Sequence, residues 1–253
     1  MRVITEAGEF AVKVDLQTHH SVIGGSTVQE HVVERMPRLV PRPVPAVSGE
    51  LAVTMRSRRI MVSDWATSEP PTDEDTTWAR IGEAAAALHS LPTVPRDFAV
   101  PLDLACEDLE RQPGWPASLV RAVVDRVRHI DGGAISIVHG QLNLANLIQR
   151  GDQSIAILDW DEAGTGLTAI DLGYPLICEF LTENLEWHAD QAHGFFRGYQ
   201  DGATIELPPA GDVVALALLH ALRSAMFANQ LKPWNRVAYV LGHEPELQRA
   251  FSG

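Results

Sequence analysis

The run Ile137-Val138-His139-Gly140-Gln141-Leu142-Asn143-Leu144-Ala145-Asn146-Leu147-Ile148, followed after a short turn by Ile157-Leu158-Asp159-Trp160-Asp161, holds the residues best suited to chemistry. Two apolar segments flank Gly151-Asp152-Gln153-Ser154 and read as a β-hairpin. With Arg150 facing Ile155, the register sets Asn146 opposite Asp159, so a carboxamide and a carboxylate share one open end. Facing residues in such a ladder lie about 5 Å apart. That pair suits a Mg²⁺ ion that keeps several waters and takes its remaining ligands from nucleotide phosphates, which points to phosphoryl transfer.

Other elements must hold these groups in place. Residues Arg2 to Thr5 and Phe10 to Val14 flank Ala7-Gly8-Glu9 and are expected to pair as a hairpin. Its second strand, Phe10-Ala11-Val12-Lys13-Val14, carries one lysine among apolar residues. Burying that lysine without a partner is unfavourable; on an edge strand it would face water. Thr27 and Glu30 have capping-box spacing and predict a helix that starts there and ends at Pro37. The preceding Gly24-Gly25 reads either as a flexible turn or as a cradle for an anion at the helix N-terminus. After the proline-rich stretch Pro37 to Pro45, Leu51 to Met55 and Arg59 to Ser63 read as strands, with a hinge near Met61 to Ala66. The loop Glu69 to Asp75 then leads into a helix marked by Trp78, Ile81, Ala85 and Leu88 and ended by Pro92. Further helices are expected over Pro116 to Ile130, Tyr174 to Asn184, Leu185 to Tyr199, Asp212 to Gln230 and Trp234 to Phe251.

A chain of 253 residues, 45% hydrophobic, can bury a large core. Its formal charge of −13 argues against a nucleic-acid surface, and an acidic face attracts cationic small molecules. Cys106 and Cys178 stand far apart with no Cys-x-x-Cys spacing, which indicates neither a disulfide framework nor a zinc site. The longest apolar run, Val213 to Leu222, is broken by His220 and closed by Arg223, so a soluble cytoplasmic protein with no membrane partner is expected. Neither a Walker-type phosphate loop nor a Gly-x-Ser-x-Gly motif occurs. His188 and His193 are five residues apart, one beyond the spacing that puts two ligands on one helix face. The acidic cluster Glu107, Asp108 and Glu110 reads as a solvated face.

The order His-Gly-Asp, four residues, Asn, then a strand ending Asp-Trp-Glu or Asp-Trp-Asp resembles the signature of the aminoglycoside phosphotransferase and choline kinase-like superfamily, whose fold is protein kinase-like. The resemblance implies an α+β bilobal chain: residues 1–66 as a small antiparallel sheet and hinge, residues 67–253 as a mainly helical lobe carrying the catalytic loop and metal-binding hairpin. Only twelve residues precede Lys13, so the first strand and most of the loop that covers the phosphates are expected to be absent. By the same resemblance Lys13 contacts the nucleotide's α- and β-phosphates and Glu30 is its helix partner. If Glu30 instead caps its own helix, Glu34, one turn on, would have to face Lys13. Asn146 and Asp159 match the metal ligands, Asp171 orders the catalytic loop from below, and His139 belongs to the catalytic triplet, its ring expected to brace the loop through backbone hydrogen bonds. The implied cofactors are ATP or another nucleoside triphosphate, and Mg²⁺.

One departure falls at the catalytic base. Where the family has the aspartate that accepts the substrate's hydroxyl proton, this chain has Gln141, and a carboxamide cannot act as a base near neutral pH. Positioning and metal charge do most of the work in phosphoryl transfer, and a positioned acid–base group contributes roughly 10²–10⁴-fold. Gln141 could still orient a hydroxyl, and Asp161 or Glu162 stands close enough in sequence to accept a proton. Two classes of function stay open. One is a phosphotransferase acting on a hydroxyl of a small polar molecule, an aminoglycoside-like antibiotic or a metabolite, cationic if Glu179, Glu183 and Glu186 line its pocket. The other is a degenerate kinase-like protein that binds a nucleotide or peptide as the partner subunit of another biosynthetic enzyme.

Overall fold

The computed structural model describes residues 1–15, 21–56, 58–67, 74–130, 132–228 and 233–252. Most of the expected loop from Glu69 to Asp75, and the expected helix end at Gln230, lie outside them. The chain opens with a hairpin of β1 (Arg2–Thr5) and β2 (Gly8–Asp15), in which Thr5 faces Gly8. A helix, α1 (Ser21–Arg35), leads to β3 (Ala52–Met55) and β4 (Arg58–Asp64). The four strands form an antiparallel sheet in the order β1-β2-β4-β3. The lysine strand is therefore internal, and Lys13 pairs with Met61 while Ala11 pairs with Ser63. Residues two apart share a sheet face, so these four positions lie together on one side.

The helical part begins with α2 (Glu74–His89), α3 (Leu102–Glu110) and α4 (Ala117–Arg128). Next comes a two-stranded pair, β5 (Ile135–Val138) with β8 (Gly164–Leu167), between which the hairpin β6 (Leu147–Gln149) and β7 (Ile155–Ile157) is inserted. The chain ends in α5 (Ala169–Cys178), α6 (Ala189–Gly202), α7 (Ala210–Ala228) and α8 (Pro233–Ser252). Helix α8 bends at His243, two residues before Pro245, whose ring cannot sit in a straight helix. No helix among the described residues is long and apolar enough to cross a membrane.

Two of the expected boundaries shift for physical reasons. Helix α1 starts at Ser21, so Thr27 and Glu30 lie inside it and form no capping box at its start, and Gly24-Gly25 is neither turn nor anion cradle but helix interior. Helix α5 starts at Ala169, five residues ahead of the expected Tyr174, because Asp171 sits in its first turn with its carboxylate buried beneath the loop it anchors. The chain after Cys178 leaves helical geometry, and Leu181 makes an isolated bridge to Trp187.

Small residues let the helices approach closely. A Cβ placed on Gly82 of α2 would run into the backbone of Phe195 and Tyr199, and one on Gly198 of α6 would run into the backbone of Ala79. Backbone contact at this crossing brings Trp78 edge-on to Phe180 and Phe195, with Trp78 and Phe180 centroids 4.7 Å apart. Each fully buried aromatic of this kind stabilises by about 1.5–3 kcal/mol relative to exposure.

Two outcomes follow. Gly198→Ala, which forces backbone apart at the α2–α6 crossing, is expected to lower unfolding free energy by about 1–3 kcal/mol in a urea titration; a loss below about 0.5 kcal/mol would show that the two helices separate freely. Burial pushes the imidazole of His220 on α7 down to about 3, with Arg223 adding to the effect. A depressed folded-state pKa gives stability that is complete above the ordinary value near 6.5 and drains away as pH falls toward 3. His220→Leu should therefore flatten the dependence of melting temperature on pH between about 6.5 and 4; an unchanged slope would mean His220 carries no such linkage.

Candidate active site

The hairpin closes differently from expectation. Gln149 pairs with Ile155 and Leu147 with Ile157, and the Arg150 amide donates to the Ser154 carbonyl, so the turn holds three residues, Gly151 to Gln153. Gln153 sits at φ 69°, the left-handed conformation that such three-residue turns require at their last position. The side chain of Gln153 is held by Arg80 and Gln149, both donating to its Oε1. The register is thus one residue off the sequence expectation: Asn146 lies across from Leu158, whose amide donates to the Asn146 carbonyl at 2.7 Å. In a regular ladder that slip would put Asn146 and Asp159 on opposite faces. Asp159 does not continue the ladder. Its φ of 61° turns the chain, and both Asn146 and Asp159 line the same cavity.

Asn146 is oriented from behind. Its amide nitrogen donates to the Gln141 carbonyl at 3.0 Å, which leaves its Oδ1 as the free end. Its backbone amide is capped by the side chain of Asn143, a contact the sequence showed only as a second asparagine three residues earlier.

Beneath the loop lies Asp171, wholly without solvent exposure. Its two oxygens accept from the amides of His139 at 2.7 Å and Gly140 at 2.6 Å, and His89 Nε2 donates to it at 3.1 Å. Tyr199 closes the chain of bonds at 2.8 Å from His89 Nδ1. Burial would push the Asp171 carboxyl up, but His89 and the loop amide hold it below the usual carboxylate range. Gly140 has φ 90°, and a Cβ there would strike the ring of Phe98, so this position admits only glycine. The His139 ring donates from Nε2 to the Leu158 carbonyl at 2.7 Å and accepts at Nδ1 from the Gln141 amide. Both ring nitrogens are occupied, and burial drives the imidazole pKa down. His139 braces the loop and has no free nitrogen with which to exchange a proton. Trp160 packs under the hairpin edge-on to His139 and donates to the Ile157 carbonyl.

Lys13 reaches across from the sheet. Its Nζ lies 2.5 Å from Asp159 Oδ1 and 2.6 Å from Asp161 Oδ2. Burial works against the ammonium, yet the two carboxylates more than offset it and raise its pKa. The expected partner Glu30 is not there: its side chain is exposed, and α1 turns Ser26 and Gln29 toward the cavity instead. Glu34 is also exposed and neighbours Arg35. The reason lies in how α1 docks: a Cβ on Gly25 would run into the Trp160 carbonyl, which fixes the helix's rotation against the Asp159-Trp160-Asp161 segment.

Lys13, Asn146, Asp159 and Asp161 share a cavity of about 380 Å³, roofed by Ala11 and Val12 and walled by Met61 to Ser63, which lie within β4 and not in a hinge as expected. One carboxamide oxygen and one carboxylate fit a hard divalent cation that keeps waters and binds phosphate. Among the described residues no three His, Cys, Asp or Glu side chains gather into a protein-only metal cage.

Of the acids expected to face a cationic acceptor, Glu179 accepts from the Leu144 amide and burial raises its pKa, while Glu183 and Glu186 are exposed. His188 and His193 are exposed as well. Glu107, Asp108 and Glu110 pair with Arg111 and Arg128 on the surface. Two contributors carried no sequence signal: Arg96, which donates to the carbonyls of Ala163 and Asp161, and Phe98, against which Gly140 packs.

No curated protein matches the sequence. Among solved structures, a microcompartment-associated aminopropanol kinase is similar with a TM-score of 0.68, 20% identity, and coverage of 96% of this chain and 86% of that one. An aminoglycoside phosphotransferase from Alicyclobacillus acidocaldarius is similar with a TM-score of 0.62, 14% identity, and coverage of 99% and 87%. Amicoumacin kinase hAmiN, in complex with AMP-PNP, Ca²⁺ and Ami, gives 0.62, 13% identity, and 98% and 84%. These likenesses show a kinase-like fold. The model of the family described as "Phosphotransferase enzyme family" matches residues 30–211, well over half of the sequence, and the chain belongs to that family.

Proposed function

We propose that this protein is an ATP-dependent phosphotransferase that moves the γ-phosphoryl group to a hydroxyl of a small polar molecule, an aminoglycoside-like antibiotic or a metabolic alcohol. The observation that carries the reading is the convergence of Lys13, Asn146 and Asp159 on one cavity of about 380 Å³ beside a loop pinned by Asp171. The division we propose runs after Ala66: residues 1–66 supply the roof and the lysine, residues 67–253 the loop and hairpin. ATP or another nucleoside triphosphate is the donor, and the recorded ligands of the amicoumacin kinase structure, a nucleotide and a divalent cation, support that choice. We take the cytoplasm as its compartment, on the two widely separated cysteines.

Asn146 and Asp159 would hold Mg²⁺, which when bound neutralises charge on the phosphates. Lys13 gives up its two carboxylates as the nucleotide arrives and donates to phosphate oxygens. Met61 to Ser63 line the space where a base would lie. Gln141 hydrogen-bonds the acceptor hydroxyl and orients it, without taking its proton. Glu179, partly buried beside Leu144, supplies negative charge toward a cationic acceptor.

A second reading has its own support: Gln141 replaces the family's base, and Lys13 already occupies both Asp159 and Asp161. On that reading the protein binds a nucleotide or peptide as the partner subunit of another enzyme. Titration calorimetry with ATP separates the two. Mg²⁺ is expected to tighten ATP binding, and Asp159→Ala to remove at least tenfold of that gain. Binding that ignores both the metal and the substitution, with no γ-phosphate transferred, would overturn the phosphotransferase and leave the binding role.

A further inference from the structure

The acceptor's proton needs a destination, and Gln141 offers none. Of the two acids just past Asp159, Asp161 lines the cavity proposed for the nucleotide, its carboxylate 2.6 Å from Lys13 Nζ. Glu162 is placed differently. Its Cβ would stand 3.5 Å from a Cβ built on Gly140, the residue next to Gln141, so its side chain leaves the backbone beside the catalytic loop. The backbone there is fixed, because the Glu162 carbonyl accepts from the Ala99 amide and Arg96 holds Ala163.

The Glu162 carboxylate is also uncommitted. Its one ionic neighbour is Arg223 of α7 at 3.8 Å, at the outer edge of ion pairing, and among the described residues no donor hydrogen-bonds to it. Its side chain keeps 25% of its surface open, enough for a ligand to touch. The groups facing it are Tyr174 of α5, on which its charge acts, the braced His139 of the loop, and Arg223. Tyr174 in turn hydrogen-bonds Asn143 of the same loop. The carboxylate therefore lies among the loop, α5 and α7.

Resting on the phosphotransferase reading, we propose that Glu162 is the general base, standing in for the acid absent at Gln141. As the acceptor oxygen bonds to the γ-phosphorus, its hydroxyl proton passes to the Glu162 carboxylate. The bond from the γ-phosphorus to the β–γ bridging oxygen breaks, and ADP leaves with that electron pair. The carboxylic acid then returns its proton to water. Gln141 holds the hydroxyl while Glu162 deprotonates it, so two side chains divide what one aspartate does elsewhere.

The test measures kcat and KM for ATP-dependent phosphorylation of kanamycin and of 1-aminopropan-2-ol, together with ATP hydrolysis. Glu162→Gln is expected to lower kcat by roughly 10²–10⁴-fold with the KM for ATP little changed and the calorimetric affinity for Mg²⁺-ATP retained, which also shows that the variant is folded. Adding Gln141→Asp to Glu162→Gln should recover at least tenfold of the loss, as a base returned to the loop takes over. If Glu162→Gln keeps kcat within about threefold while Asp159→Ala abolishes it, the phosphotransferase stands and the base assignment falls. A wild-type protein that neither phosphorylates these alcohols nor hydrolyses ATP would sink both.

Discussion

A carboxylate with no solvent contact organises the catalytic half of this protein. Asp171 takes the amides of His139 and Gly140, which converge on it only because Gly140 adopts a left-handed conformation. His89 and Tyr199 fasten the same carboxylate to α2 and α6, the two helices whose glycines let them touch backbone to backbone. The position of the loop is thereby referred to the densest part of the core. Removing one partner of such a buried, fully bonded charge costs about 3–5 kcal/mol, so the loop and the helical core stand or fall together.

Around that anchor the charges of the cavity balance among themselves. Lys13 brings one positive charge to the two negative charges of Asp159 and Asp161. On the function proposed above, an arriving polyphosphate with its cation would exchange partners with these groups rather than fill an empty field. At roughly two-fifths side-chain exposure, Lys13 and Asp159 remain close enough to water for that exchange to proceed without a buried charge being stranded.

Much of the site could be read from residue order. Alternation and turn residues mark out the hairpin and the Lys13 strand, whereas the parts given to Lys13 and Asp171 come from the resemblance, and Asp171 lies ahead of the helix start expected at Tyr174. The exact pairing could not be read: a glutamine in left-handed geometry at Gln153 carries no signature of its own, and it shortened the turn by one residue. Asp159 reached the cavity by a backbone twist that periodicity does not encode. Glu30 failed as the lysine's partner because capping-box spacing is a local signal, whereas the rotation of α1 is set by a long-range fit at Gly25. Strand β8, short and glycine-bearing, and the segment around Arg96 were invisible because their order comes from pairing with each other.

The fit at Gly25 has a mechanical corollary. With helix backbone seated directly on the carbonyl of Trp160, no side chain intervenes to act as a cushion, and α1 cannot roll without displacing the Asp159-Trp160-Asp161 segment. Helix and hairpin are thereby held as one piece.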